Sequence, residues 1–125
     1  MVAEYMVLPS DSQEIALRRW QVIEIEVMDG TRSRHASGHD ATNNKGCASS
    51  AIVGFDMDTM TVTTRSGKKY KLTGLPGTSR IGKAAWKKWC AKNEIVSEQD
   101  VTKEYLNVEQ LSTVGFKKFN DSVSQ

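Results

Sequence analysis

The sequence predicts an α+β domain, an antiparallel β-meander of about four strands with C-terminal helices packed on one face. Three stretches predict it. Residues 51–72 hold three short segments in which apolar and polar side chains alternate: Ala51, Val53 and Phe55; Met60 and Val62; Tyr70 and Leu72. Residues 20–28 alternate in the same way, with Ile23, Ile25 and Val27 on one face and Glu24 and Glu26 on the other. Residues 78–92 instead place Ile81, Ala85, Trp86, Trp89 and Cys90 on one half of a helical wheel, with Arg80, Lys83 and Lys87 opposite and Lys88 at the flank.

In chain order, residues 1–19 leave an arm and a short helix both open. Tyr5 to Leu8 reads as a short strand stopped by Pro9. Ser10 followed three residues later by Gln13 resembles a capping box for a helix over 11–18. The strand over 20–28 ends at Asp29-Gly30. Residues 29–50 then contain almost nothing apolar, and no period survives, so they read as one long polar loop. Loops of roughly twenty residues are uncommon in small domains, and they are usually functional or disordered. Ser66-Gly67 makes a tight hairpin turn between the last two strands of the sheet region, 20–73. Gly74-Leu75-Pro76-Gly77 closes that region, and Thr78 or Ser79 caps a helix that Asn93 stops. Asp100 caps a short helix holding Val101, Tyr105 and Leu106. Val108, Leu111, Gly115 and Phe119 form a narrow helical stripe that completes the helical part, 78–119.

With 125 residues and 13.9 kDa, the chain fits a single domain, 1–125. No apolar run reaches the ~20 residues of a membrane span, and residues 1–10 hold Glu4 without Lys or Arg, unlike a secretory leader. Two cysteines, Cys47 and Cys90, are too few for a disulfide framework and read as free thiols of a cytoplasmic protein. No cofactor motif is present, and no membrane partner is expected.

The charge layout is strongly polarised. Residues 1–58 carry five Lys/Arg and nine Asp/Glu, residues 59–93 carry nine Lys/Arg and no acid, and residues 94–125 carry three and six. The net +2 therefore conceals a block of +9. Lys69 and Lys71 point away from Tyr70 and Leu72, and Arg65, Thr61 and Thr63 share that side of the hairpin. Arg65, Lys68, Lys69, Lys71, Thr78, Ser79, Arg80, Lys83 and Lys87 are thus the expected phosphate-binding set. The turn at 74–77 feeds a helix N-terminus, which suits an anion, but the P-loop spacing is lacking and an ordinary cap explains it as well. Tyr70 and Trp89 are expected in the core, with Trp86 at its edge, which weighs against a stacking platform for single strands.

The polar loop adds Arg32, Arg34, His35, His39 and Lys45 as expected ligand contacts. His35 and His39 with Asp40 and Cys47 touch on a metal site, but Ser37-Gly38 disfavours the helix that this spacing needs, so no metal is assigned. A small nuclease using either histidine as general base, with Arg32, Arg34 or Lys45 on the phosphorane, is a further alternative.

The stretch Thr63-Thr64-Arg65-Ser66-Gly67-Lys68-Lys69-Tyr70-Lys71-Leu72 resembles hairpins of small bacterial and phage proteins, and the compact domain is similar to phage-encoded accessory and anti-defence proteins. The resemblance covers ten residues and transfers no functional residue. It implies an inhibitor acting by binding in a host cytoplasm. The expected function is a non-enzymatic binding protein for nucleic acid, a nucleotide or another phosphate-bearing ligand. The alternative is an inhibitor docked on an acidic surface of a host defence complex.

Overall fold

A computed structural model describes residues 14–106 of the chain. In order, its elements are strands β1 (Glu14–Val27), β2 (Arg32–Asp40), β3 (Lys45–Ala48), β4 (Ile52–Asp56), β5 (Thr61–Thr64) and β6 (Lys69–Leu72). Helix α1 (Arg80–Asn93), strand β7 (Ile95–Asp100) and a 3-10 turn (Thr102–Tyr105) follow. The strands form one mixed sheet in the order β3-β2-β1-β6-β5-β4, with β7 also paired to β1.

β1 organises the sheet because its 14 residues exceed the length of any neighbour. β2 runs antiparallel along one edge. The other edge is divided: β6 pairs parallel with residues 14–17 and β7 pairs antiparallel with residues 23–27. Between them the segment 73–77 takes over the backbone of β1, with Thr73 N donating to the Leu17 carbonyl (2.9 Å) and Gly77 N to the Trp20 carbonyl (3.1 Å). The Trp20 indole reaches the Gly74 carbonyl at 3.0 Å.

A bulge in β1 decides which side chains face inward. The register with β2 shifts between Arg18 and Gln21, and Arg19 has φ +46°. One extra residue reverses the alternation. Leu17 therefore shares its face with Trp20 and Val22, all three fully buried. Ile23 and Ile25 take the opposite face, under α1 with Trp86.

The sheet curls. Cys47 on β3 and Tyr70 on β6 share a hydrogen bond across the concave side, although two strands separate them in sheet order. The interior contains Leu17, Trp20, Val22, Ala36, Met60, Val62, Tyr70 and Leu72, and Val101, Tyr105 and Leu106 close it. Burying Trp20 alone contributes several kcal/mol, since Trp-to-Ala changes in cores cost about 3–5 kcal/mol. α1 lies on the convex side. Ser79 caps it, its Oγ accepting from Gly82 N at 3.0 Å, and Glu94 ends it in a left-handed conformation.

The α+β class stands, and strands occupy the three predicted hairpin segments, but in β4 the register shift between Ile52 and Gly54 turns Ile52 and Phe55 to the core and leaves Val53 exposed, against the simple alternation of Ala51, Val53 and Phe55. The four-stranded meander understates the sheet, which among the described residues has seven strands and one parallel pair. Residues 29–50 are not a loop, for β2 and β3 run through them. Their polarity has a structural cause: Ser37, Gly38 and Gly46 lie under α1, and Arg32 and Arg34 neutralise the glutamates of β1. Residues 14–18 belong to β1 rather than to a helix over 11–18. Residues 95–100 form β7, and the helix expected after Asp100 is a single 3-10 turn, with the Asp100 carboxylate accepting from Thr102 N. Ile81 is exposed rather than part of the apolar face. The strand at Tyr5 to Leu8, the cap at Ser10 and the stripe from Val108 to Phe119 lie outside the described residues.

Candidate functional site

The residues expected from the polar loop separate onto two faces, because neighbours on a strand point to opposite sides. Arg32 and Arg34 point to the side of Glu24 and Glu26. Arg34 Nε binds Glu24 at 2.9 Å and its Nη1 binds Glu104 at 2.9 Å, while Arg32 approaches Glu24 and Glu26 at 3.7 and 3.5 Å. Contacts with Tyr105, Glu104 and Glu24 hold the Arg34 guanidinium charged even beyond an ordinary arginine. Arg34 thereby ties the 3-10 turn to the sheet, while Arg32 pairs only within it.

His35 lies on the other face and is buried. Its ring packs 4.4 Å from that of Trp89, and Trp86 stacks on Trp89 at 5.1 Å. Its Nδ1 lies 2.9 Å from the Ser49 carbonyl, which can only accept, so Nδ1 carries the proton. Nε2 then accepts from the Ser33 hydroxyl at 2.7 Å. Burial, with Arg65 adding to it, pushes the imidazole below its ordinary value and keeps it neutral. His35 is thus a satisfied core histidine in a strand, not a loop base. His39 shares its face and bonds Asn44 at 2.8 Å. The fold places Arg32 and Arg34 on the face opposite to both histidines.

Asp40 is fully buried as well. Burial alone would raise its carboxyl, but hydrogen bonds from Asn43 and Thr42 outweigh that and hold it below the ordinary carboxylate value. It orders the turn between β2 and β3. Among the described residues no group of three His, Cys, Asp or Glu is placed to hold a metal. Cys47 and Cys90 are both free, and burial raises the thiol of each.

The basic block distributes differently. Thr61 pairs with Lys71 and Thr63 with Lys69, so these four share the convex face of the hairpin. Glu14 and Asp56 share a shallow recess of about 330 Å³ with both lysines, without an ion pair. Arg65 and Lys68 occupy the hairpin tip, where Gly67 takes φ +96°. That tip is held to the connection between β3 and β4: Arg65 N donates to the Ala51 carbonyl at 2.8 Å, and Ser66 N donates to Ser50 Oγ at 3.1 Å. Lys68 and Lys45 both act electrostatically on the Cys47 thiol.

The start of α1 meets β3 at Gly46 on the convex face, opposite to the side of Lys45 and Cys47. A Cβ on Gly46 would overlap the Ile81 carbonyl, and one on Gly82 would stand 3.0 Å from Gly38. Arg80 begins the helix and is exposed, as are Thr78 and Lys45, while Ser79 is occupied as the cap. The row Arg18–His39–Gly46 crosses three strands at this level. Arg18 stands one strand over and two residues along from Lys71, about 8 Å by strand geometry. Arg18 and Arg19 are exposed additions to the basic region that the sequence reading missed. The Arg-Arg pair beside Trp20 was the available signal, obscured by the helix read over 11–18.

Lys83 and Lys87 face elsewhere. They line a cavity of about 270 Å³ with Glu98 and Asp100, because β7 folds beside α1. Lys88 and Lys92 flank Trp89 on the other side of the helix. The helix cations are therefore split between two flanks.

No family model, curated protein or solved structure matches the chain.

Proposed function

We propose that the protein is a non-enzymatic binding protein that holds nucleic acid, or another phosphate-bearing ligand, on the cations of the β5–β6 hairpin, the β2–β3 turn and the start of α1. The observation that supports this reading is the unequal pairing of its cations. Among the described residues, every ion pair involves Arg32 or Arg34. Arg18, Lys45, Arg65, Lys68, Lys71 and Arg80 have none there, and the chain from 59 to 93 supplies no carboxylate. Clustered unpaired cations repel one another, and a polyanion that collects them releases its counterions. These long side chains suit phosphate positions rather than base edges, so binding is expected to be insensitive to base sequence.

The test is charge reversal. The pair Lys68→Glu and Lys71→Glu, and separately Arg18→Glu, should weaken binding of a fluorescent duplex about tenfold or more at low salt. Lys87→Glu, on the β7 flank, should change it far less. Equal losses at both places would point to net charge alone. No binding by the parent protein would remove nucleic acid and leave an acidic protein surface, as the anti-defence resemblance implies, for the same cations.

A further inference from the structure

The cavity between α1 and β7 is a second site, on a different flank from the cations of the β5–β6 hairpin. Its volume of about 270 Å³ lies just below the ~300–1,000 Å³ typical of pockets for drug-sized ligands. That suits a molecule of amino-acid size. The floor is apolar and buried, formed by Ile23 and Trp86.

The walls are charged with opposite signs. Lys83 and Lys87 stand one turn apart on α1. Glu98 and Asp100 stand two residues apart on β7, opposite Ile25 and Ile23, so both carboxylates share the face that α1 covers. No lysine–carboxylate pair closes across the cavity within 4.0 Å among the described residues. The carboxylates are instead fixed from below. The Trp86 indole donates to Glu98 Oε1 at 2.8 Å, and the Gln21 amide donates to Asp100 Oδ2 at 2.9 Å. Ser37 Oγ, also buried and lining the cavity, has only a long 3.5 Å contact to the Gly82 carbonyl. Two cations on one wall, two held carboxylates on the other and a greasy floor between them match a ligand with the same three features.

We infer that this cavity binds a small zwitterion, a free α-amino acid with an apolar side chain. Its carboxylate would lie toward Lys83 and Lys87, its ammonium toward Glu98 and Asp100, and its side chain against Ile23 and Trp86. Each polar contact is charge-assisted, and neither end alone satisfies both walls.

The Trp86 indole N–H reports occupancy, because its acceptor Glu98 lines the cavity. Leucine is titrated into the full chain and the indole resonance is followed by NMR. Isoamylamine and isocaproate serve as analogues lacking the carboxylate or the ammonium. The expected result is a saturable shift with leucine and at least about tenfold weaker response to either analogue, the cost of one lost charge-assisted contact. Glu98→Gln keeps an acceptor for Trp86 and should weaken leucine about tenfold, and so should Lys87→Met at the solvent-exposed lysine of the opposite wall. Absence of a leucine shift, or equal binding of leucine and isoamylamine, overturns the proposal. Unchanged leucine binding in Lys87→Met and Glu98→Gln overturns the assignment of the walls.

Discussion

His35 shows how a polar residue can be a core residue. Its imidazole replaces an apolar side chain under Trp86 and Trp89, and both ring nitrogens are satisfied only by the neutral Nδ1-protonated tautomer with Ser33 donating. The consequence is a pH dependence of known sign. The folded state lowers the histidine below its ordinary value of 6.5, so the unfolded chain binds the proton more readily. Stability is therefore full above about pH 6.5 and falls as pH drops from there toward the depressed folded value. Asp29 and Asp40, both held below 3.8, lose their contribution only at more acid pH. A melting profile of the parent protein should decline in the histidine window. His35→Gln, which keeps a donor and an acceptor but cannot titrate, should remove that decline while lowering stability throughout. A decline of the same size in His35→Gln would assign the window to another group. None of this was legible in the sequence, because an imidazole, an arginine, two serines and a glycine within 33–38 look like solvent-facing loop.

At the scale of elements, the bulge in β1 and the seat of α1 fix the architecture. The bulge at Arg19 lets one strand face two cores, which simple alternation from 20 to 28 does not reveal. The helix comes so close to β3 that Gly46 has no space for a side chain, since a Cβ would meet the Ile81 backbone. Gly46→Ala must push the helix away, and overpacking of this kind costs about 1–3 kcal/mol. Gly54→Ala on β4 is the control: its nearest neighbour would be the Thr63 Cβ at 4.0 Å, an ordinary contact. Urea denaturation should show a clear loss for the first and no loss for the second, and equal effects would contradict the close seat. The hairpin strands β4 to β6 were legible because one side faces the core and the other faces water. β2 and β3 were not, since helix backbone rather than side chains covers their small residues. β7 was not, because Val96 to Asp100 are all exposed and only pairing with β1 holds the segment extended.

For the whole molecule, the segregation of charge was legible by counting, but its placement required the fold. Glu24 and Glu26 of β1 pair with Arg32 and Arg34, and the carboxylates of β7 stand beside Lys83 and Lys87. The cations of the hairpin, the bulge and the start of α1 are left without partners among the described residues. Four or five of them on one polyanion would release a matching number of counterions, giving a logarithmic salt slope of about −4. The most direct test is the affinity of the purified chain for a labelled duplex at ~50 and ~200 mM salt, where about four neutralised phosphates predict a loss of roughly a hundredfold. That loss, shrinking by about one unit of slope for each reversed cation among Arg18, Lys68 and Lys71, is the predicted result. Binding that is absent at both salts, or indifferent to salt and to these reversals, would contradict the account.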